Sequence, residues 1–402
     1  MPPTSAPLLA EYGSPLYVYD LETVRERADA LRAAFTYRPL RLLYAIKANP
    51  CPPVARTLIA AGYGIDAVSP GEVALGLKLG LDPADILYTE NNMTDLEMAQ
   101  AMDQGVLINC GSLDRLERLG VTGAREAAVR FNPDVGDSEH AKTLTAGPLT
   151  KFGVHHSQVN QVRSIEERTG IRVVGAHMHI GSGSLDAQAF IAAMEVILAT
   201  AIQLPNLRFI DFGGGIGVPY RPDQQAIDLA ELGATADRMM RAFCRQYGRE
   251  LELRLEPGRF LVAEAGTLYT TVTSVKTNPA TTAAAARTYV GTDTGFNHLV
   301  RPCMYGSYHP ITNITNPDGP RQRVDVVGNI CESGDVFARD RELAEPRVGD
   351  VLAIGCAGAY GMSMASTYNL RDLPAEVVVD GVEVRLARKR TPAAELIDAW
   401  EW

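Results

Sequence analysis

The sequence predicts an α/β protein with a (β/α)8 TIM-type barrel over residues 22–265, followed by an antiparallel β domain, a β-barrel or sandwich, over residues 266–402. Two observations favour the barrel. Eight short apolar runs alternate with helix-like stretches over about 220 residues, which is the repeat number and size of that fold. Polar residues follow nearly all eight runs, whereas an open doubly wound sheet, the alternative, would gather them at one switch point.

The eight apolar runs have the length of buried strands, and the stretches between them are long enough for helices, so we expect parallel strands. The runs are RLLYAIKA (41–48), YGIDAVS (63–69), DILYTEN (85–91), GVLINC (105–110), AAVRFNP (127–133), VVGAHMHIG (173–181), RFIDFGGG (208–215) and LELRLEPG (251–258). Between them apolar residues recur at the 3.6-residue spacing of a helix, and several stretches end at glycine, as helices commonly do. The clearest of these stretches span 53–62, 71–80, 94–105, 188–202 and 232–248.

The pattern changes after residue 266. Segments such as TLYTTVTSVKT and AEVVVDGVEVRLARKR are β-rich, and turn-forming residues separate them, which indicates a second domain. Near the N-terminus, YVYD (17–20) precedes the first helix-like stretch. We expect residues 1–21 to contribute a strand to the β domain.

Composition limits the classes of partner. The 402 residues are 46% hydrophobic and 21% charged, as in ordinary globular proteins. The net charge of -10 argues against nucleic acid or an anionic membrane, because either would require a basic face. The six cysteines are scattered, and no stretch resembles a signal peptide or the ~18 apolar residues of a membrane span. We therefore expect a cytoplasmic protein with free thiols.

Lys47 lies at the carboxyl end of the first predicted strand, within YAIKANP. A lysine in a dry barrel mouth carries a desolvation cost unless it is paired or used covalently. With a lowered pKa it would be suited to forming a Schiff base with an aldehyde. A strand-end lysine that reaches solvent is the alternative, and spacing alone does not separate the two.

His177 and His179 project from one face of the sixth predicted strand, because side chains alternate along a strand. They could bind a metal, stack on a ring, or fill the core. A metal would need further ligands, so we expect none here.

The run Gly213, Gly214 and Gly215 follows the seventh predicted strand. Backbone N–H groups in such a run can approach an anion closely, and barrels often hold phosphate after strands 7 and 8. The run therefore predicts a phosphate-binding loop.

The eighth run, LELRLEPGR, alternates charged and apolar residues. If it is a barrel strand and not an amphipathic surface strand, Glu252, Arg254 and Glu256 point inward and Arg259 lies just beyond the mouth. A carboxylate such as Glu256, facing the ring nitrogen of a pyridine cofactor, would keep that nitrogen protonated. An arginine there suits a phosphate or a carboxylate.

Cys331 and Glu332 begin the sequence CESGD in the predicted β domain. The segment could be an ordinary loop. The thiol of Cys331 could also donate a proton to a substrate carbon.

Together these segments resemble the fold-type III pyridoxal-phosphate-dependent decarboxylases, and most of all the diaminopimelate decarboxylases, over about residues 15–380. Any one motif is weak, but ten in the same order are specific. They are YAIKANP, GIDAVSPGE, VRFNP, KFG, HMHIGSG, DFGGGIGVPY, EPGRFLVAEAG, GFNHLVRPCMYGSYH, CESGD and GAYGMSMASTYN.

The resemblance implies pyridoxal 5'-phosphate as cofactor, a small amino acid as substrate, and a homodimer with shared active sites. Lys47 would hold the cofactor covalently, His179 would stack on its ring, and Cys331, reaching across from the other subunit, would donate a proton. The other residues implied for the cofactor are Ser182, Gly213, Gly214, Gly215, Glu256, Pro257, Gly258, Arg259 and Tyr368. Those implied for the substrate are Arg259, Arg301, Tyr305, Glu332 and Tyr368.

The reaction implied is decarboxylation of meso-2,6-diaminopimelate to L-lysine, the last step of lysine biosynthesis. Two arginines suit a distal carboxylate, whereas a decarboxylase of ornithine or lysine would need acids there. Leu370, Asp372 and Leu373 depart from the family pattern beside the substrate pocket, as does INCGS (108–112) elsewhere, which leaves decarboxylation of a related carboxylated amine or diamino acid open. Glu256 argues against a racemase on the same barrel, and the β domain argues against a non-catalytic barrel. A zinc hydrolase using His177 and His179 is a further alternative.

Overall fold

The structure is a computed structural model that describes residues 5–282 and 285–401. The chain begins with helix α1 (Ser5–Tyr12) and strand β1 (Leu16–Asp20), which lies in a different sheet from the strands that follow it. Helix α2 (Leu21–Ala34) starts directly after β1. Asp20 caps it, since its side chain accepts a hydrogen bond from the backbone N–H of Glu22.

A closed ring of eight parallel strands forms next in the described part of the chain. The sheet has nine described strands, eight of which form the ring. In chain order they are β2 (Leu40–Ala45), β3 (Gly64–Ala67), β4 (Ile86–Thr89), β5 (Leu107–Cys110), β6 (Glu126–Asn132), the short β7 (Val154–His155), β8 (Arg172–His177), β9 (Phe209–Asp211) and β10 (Glu252–Leu255). β7 pairs beside β6. The other eight close on themselves, because β10 pairs with β2 and β5 pairs with β6. The predicted barrel is confirmed, and the open sheet is excluded.

Helices cover the outside of the barrel. They are α3 (Pro52–Ala60), α4 (Pro70–Lys78), α5 (Asp95–Asp103), α6 (Leu113–Val121), α7 (Val159–Thr169), α8 (Ala187–Ala201), α9 (Leu229–Tyr247) and the short α10 (Arg259–Val262). Local sequence sets several of their ends. Thr94 and Glu97 form a capping box at the start of α5, and Gly170 and Gly248 end α7 and α9 in the left-handed conformation.

Apolar side chains fill the barrel interior. The buried members of this cluster are Leu43, Leu87, Ala128, Val174 and Phe209. Phe209 fits because Gly175 has no side chain: a Cβ there would lie 2.0 Å from the ring carbon Cζ. The Arg254 guanidinium carbon lies 3.6 Å from the centroid of the same ring. The interior is therefore packed, and chemistry is left to the carboxyl ends of the strands.

A second, mostly antiparallel sheet follows, as predicted. It joins β1 to β11 (Gly266–Asn278), β12 (Arg287–Thr292), β13 (Ile311–Asn313), β14 (Arg321–Val327), β15 (Val336–Ala344), β16 (Val351–Ile354), β17 (Ala375–Asp380) and β18 (Glu383–Arg388). Two neighbouring pairs, β1 with β17 and β12 with β14, are parallel. Long connections allow this, because the barrel separates β1 from β17 and α11 (Arg301–Tyr305) lies between β12 and β14. The last helix is α12 (Ala393–Ile397).

The loop after β16 packs against the barrel mouth. The backbone N–H of Tyr360 donates to the carbonyl of Ala48 at 2.8 Å, and the Asn49 side chain donates to the carbonyl of Gly358 at 2.9 Å. This loop brings the second sheet to the carboxyl ends of the barrel strands. No helix among the described residues is both long and apolar enough to cross a membrane.

Candidate active site

Lys47 lies in the single 3-10 turn Ile46–Ala48, which directly follows β2. In the parallel pairing of β2 with β3, Ala45 lies opposite Asp66, so the Asp66 carboxylate meets the lysine at the edge of the barrel. The two form an ion pair and hydrogen bond in which Asp66 is 1% exposed and Lys47 is 34% exposed. Lys47 therefore faces the open mouth, with a buried counter-ion beneath it.

The expectation of a lowered lysine pKa is wrong for this state of the protein. Burial alone lowers the pKa of Lys47, but the negative charge of Asp66, with further contributions from Tyr360 and Glu256, outweighs burial and raises the pKa above its usual value. Lys47 is therefore an ammonium, and it must lose a proton before it can act as a nucleophile.

His179 lies against the glycine loop. The N–H of Gly214 donates to His179 Nδ1 at 3.1 Å, so that nitrogen carries no proton. Burial lowers the pKa of His179 well below its usual value, which keeps the ring neutral. The loop itself is tightly packed: Gly213 has φ of +69°, and a Cβ on Gly214 would lie 2.0 Å from the Glu256 carbonyl oxygen. Glycine is required at both positions.

Glu256 is 5% exposed at the end of β10. Its Oε2 lies 3.0 Å from His177 Nε2, while its Oε1 is buried without a hydrogen-bond partner among the described residues. Burial, followed by the negative charge of Asp66, raises the pKa of Glu256. His177 thus faces Glu256 and His179 faces the glycine loop, so the two histidines do not share a partner. We call Lys47, Asp66, His177, Asp211 and Glu256 the mouth cluster.

The Arg259 side chain links Ser182, which follows β8, to Tyr220, which follows the glycine loop. Its guanidinium donates to Ser182 Oγ at 2.9 Å and to the Tyr220 hydroxyl at 2.8 Å, and it lies over the ring of Tyr360. The turn before it packs on the lysine segment, because Ala45 N–H donates to the Pro257 carbonyl at 3.1 Å. Ser182, Arg259 and Lys47 are therefore neighbours around one mouth.

Arg301 is almost completely buried, at 1% exposed. It donates to Glu139 Oε2 at 3.0 Å and to His309 Nε2 at 3.0 Å. The Nδ1–H of His309 donates to the Gly355 carbonyl at 2.9 Å, and burial, followed by the charge of Arg301, lowers the pKa of His309 to about 3. The same Glu139 oxygen lies 3.4 Å from Arg259, so one carboxylate bridges the two arginines.

Three predicted site residues lie elsewhere. Cys331 and Glu332 are exposed in the connection between β14 and β15, and Tyr368 is exposed in a 3-10 turn between β16 and β17, where its hydroxyl donates to Glu332 Oε1 at 2.7 Å. In the part of the chain that the structure describes, no hydrogen bond or ion pair joins them to Lys47 or to the glycine loop. We call these three residues the surface cluster. Tyr305 is half-buried and stacks on His140, with 5.9 Å between the ring centroids.

Two of the residues that depart from the family pattern, Asp372 and Leu373, form hydrogen bonds with the C-terminal segment. The Asp372 side chain accepts from the Ala393 N–H at 2.8 Å, and Leu373 pairs with Thr391 through backbone hydrogen bonds. These residues therefore anchor the C-terminal segment that carries α12.

Sequence reasoning gave no role to four residues that the structure brings to the site: Asp66, Asp211, Tyr360 and Glu139. Asp66 lies near the end of β3 and Asp211 is the last residue of β9, so strand-end position would have pointed to these two. Tyr360 lies in the loop after β16, inside the motif GAYG. Glu139 lies in the long connection between β6 and β7, where no periodic pattern marks it.

A strand-end lysine, a glycine loop beside a neutral histidine, and a buried carboxylate with one free oxygen all meet at a barrel mouth. This combination defines a class of barrel enzyme that works through a covalently held, phosphate-bearing heterocycle.

Comparison with known proteins agrees. Residues 21–263 match the family model described as pyridoxal-dependent decarboxylase, pyridoxal binding domain. The chain is 42% identical over 401 residues to the diaminopimelate decarboxylase of Methanothermobacter thermautotrophicus, covering 97% of this chain and 92% of that relative. The Helicobacter pylori diaminopimelate decarboxylase complexed with L-lysine superimposes with a TM-score of 0.90 at 31% identity, over 98% of each chain. The M. jannaschii enzyme in complex with L-lysine gives 0.90 at 32% identity, over 99% and 94% of the two chains.

The chain belongs to the pyridoxal-dependent decarboxylase family, and its cofactor is pyridoxal 5'-phosphate. The residues present fit that group. Glu256 Oε1 is buried and unpartnered, as a carboxylate awaiting a ring N–H would be, and the glycine loop leaves no room for side chains beside it.

Proposed function

We propose that this enzyme decarboxylates meso-2,6-diaminopimelate to L-lysine and carbon dioxide, as the last step of lysine biosynthesis. The observation that carries the proposal is the buried pair Arg259 and Arg301, already bridged by the carboxylate of Glu139. A site that holds one carboxylate between two arginines is suited to the distal carboxylate of a dicarboxylic substrate. The names of the relatives support the same substrate.

The burial of Arg301 also lets the site discriminate between substrates with and without a distal carboxylate. Arg301 is 1% exposed, so a substrate without a distal carboxylate would leave it with Glu139 as its one anionic partner, beside the neutral ring of His309. Ornithine and lysine carry an ammonium at that end, which two arginines would repel. The arrangement therefore supports a dicarboxylic diamino acid over a simple diamino acid.

At the reacting end, we assign Lys47 to the covalent link and Asp66 to its proton balance. Asp66 holds Lys47 as an ammonium, and it can accept the proton that the amine must lose. His179, kept neutral by Gly214 N–H, presents a flat apolar face at the mouth. Bound pyridoxal phosphate would supply the sink for the electron pair that departing carbon dioxide leaves behind, and Glu256 would hold a proton on its ring nitrogen.

The proton donor comes from the surface cluster. We infer a homodimer in which Cys331, Glu332 and Tyr368 of one subunit complete the mouth of the other. Their exposure supports this arrangement, as does the absence of a hydrogen bond or ion pair to the mouth cluster among the described residues. A two-fold dimer would form the same contact at both sites. The six free thiols support a cytoplasmic location.

The direct test measures carbon dioxide release from meso-diaminopimelate, its LL and DD isomers, ornithine and lysine. We expect turnover of the meso compound to exceed that of ornithine and lysine by at least about 100-fold, the scale of losing a buried charge-assisted contact. Release from ornithine or lysine at comparable rates would overturn the substrate, and so would racemisation of any substrate without carbon dioxide release.

A further inference from the structure

Two buried groups behind Glu256 have no role in the account so far. His177 and Asp211 are both 0% exposed, at the ends of β8 and β9. One ring nitrogen of His177 and one carboxylate oxygen from each of Asp211 and Glu256 lie within 4.8 Å of one another. Burying two carboxyl groups this close is costly, so the arrangement needs an explanation.

Two carboxylates at this separation in a dry site cannot both be ionised, and one of them must keep a proton. The charged and titratable groups that face the pair come from every neighbouring strand end. They are Lys47, Asp66, Arg130, His177, His179 and Arg254. Burial raises the pKa of both carboxyl groups, and at Asp211 the charge of Glu256 raises it further. At Glu256 the charges of Lys47 and Arg130, together with a hydrogen bond from the Asp211 side chain, oppose the increase. The proton therefore belongs on Asp211.

The hydrogen bonds of Asp211 agree with this choice. Its Oδ1 accepts from the Gly213 N–H at 2.8 Å, as the carbonyl oxygen of a neutral carboxylic acid would. Its Oδ2 is buried and accepts no described hydrogen bond, so it is the oxygen left to carry the proton, which the hydrogen bond between the Asp211 and Glu256 side chains directs to Glu256.

His177 is a second donor toward Glu256. Burial lowers the pKa of His177 to about 4, so its ring is neutral and only one nitrogen carries hydrogen. Nδ1 is buried without a partner, and Nε2 lies 3.0 Å from Glu256 Oε2. A proton on Nδ1 would be a buried donor without an acceptor, whereas a proton on Nε2 is donated to Glu256. The second arrangement has the lower free energy, so the proton is on Nε2.

We propose that protonated Asp211 and Nε2-protonated His177 are positioning residues that hold Glu256 as an anion, with its free Oε1 available to the ring nitrogen of the cofactor. Neither residue needs to touch the substrate. The proposal rests on the cofactor of the family and not on the identity of the substrate, so a different substrate would leave it intact.

The test uses holoenzyme reconstituted with pyridoxal phosphate labelled with ¹⁵N in the ring, whose chemical shift reports whether that nitrogen is protonated. Asp211→Asn keeps a neutral side chain of the same shape and should retain a protonated nitrogen up to about pH 9, as in wild type. Asp211→Ala should lower the ring-nitrogen pKa by at least about one unit. His177→Gln, which keeps a donor, should resemble wild type, and His177→Phe should not.

The outcomes are exclusive. If Asp211→Asn lost ring protonation, Asp211 would act as an ion and the proposal would be wrong. An unprotonated nitrogen in wild type, or no shift in Asp211→Ala, would also overturn it. Should Asp211→Ala fail to fold by circular dichroism, the Asp211→Asn result alone decides. As the matched control, Asp325→Asn removes a buried carboxylate of the second sheet and should leave the ¹⁵N signal unchanged.

Discussion

The mouth cluster and the surface cluster belong to the same implied site, yet they differ in almost every physical respect. The mouth cluster lies at strand ends and is buried except for Lys47, and its members contact one another directly. The surface cluster is exposed, and Tyr368 is 44% exposed although its ring could bury a large apolar area.

This difference shows which part of the implied active site a single chain forms by itself. The groups expected to bind the cofactor are already arranged within the barrel of the folded chain. The free-energy cost of burying their charges is offset by the stability of that fold. The side chains of the surface cluster are hydrated in the single chain, and only contact with another surface would remove that water. We therefore expect the two clusters to respond differently to mutation.

The largest effect should come from Lys47→Ala. Without its amine the mouth has no nucleophile, so activity should fall below detection and the bound cofactor should no longer be covalently linked. Borohydride reduction followed by peptide mapping checks the link in wild type, where the label should fall on Lys47. A label on Lys78 or another lysine would contradict the assignment.

Glu256→Gln should lower turnover by roughly 10²-fold or more, the scale for removing one prearranged electrostatic partner. The affinity for pyridoxal phosphate should change far less, because the carboxylate matters most as charge flows into the ring. Turnover and cofactor titration measured on the same preparation separate the two effects. Near-normal turnover would remove Glu256 from the reaction.

Arg301→Ala should cost roughly 10- to 150-fold in kcat/KM on meso-diaminopimelate, because a buried charge-assisted hydrogen bond is lost. On a substrate without the distal carboxylate the loss should be small. Arg241→Ala, which removes an exposed arginine of α9, is the control and should affect neither substrate. Equal losses on both substrates would make Arg301 a structural residue.

A smaller effect should appear in stability at low pH. Burial lowers the pKa of His298 to about 4, below the value near 6.5 of an unfolded histidine. The folded state therefore binds fewer protons, and the stability contributed by this residue is present above about pH 6.5 and decreases as the pH falls toward 4. At pH 5 the loss is up to about 2 kcal/mol.

Urea unfolding of wild type and His298→Gln at pH 7.5 and 5 checks this expectation. The variant cannot take up the proton, so it should lose less stability than wild type between the two conditions. An equal loss in both proteins would assign the acid sensitivity to other groups.

Sequence patterns predicted the barrel because its strands and helices have different apolar periods, and strand-end position then pointed to Lys47, His179 and Glu256. The ionisation of Lys47 could not be predicted in this way. It depends on the register that sets Asp66 opposite Ala45, which is a pairing between strands and not a property of either.

Glu139 shows a second limit. Its segment has no periodicity, and tertiary contacts set its position: its N–H donates to the Ser182 carbonyl at 3.1 Å, and its carboxylate meets Arg301. The parallel pairs in the second sheet were missed for a similar reason, because β1 and β17 are adjacent only after the whole barrel has folded. In the proposed dimer, the location of Cys331 relative to Lys47 would depend on a second chain, which no pattern within one sequence contains.

The most direct test of a site shared between two subunits is subunit complementation. Lys47→Ala and Cys331→Ala homodimers should each be nearly inactive. After verified subunit exchange, each hybrid dimer would carry both lesions in one site and none in the other, so random pairing should restore roughly a quarter of wild-type activity. If the hybrids form and no activity returns, Lys47 and Cys331 act within one chain and the shared-site account is wrong.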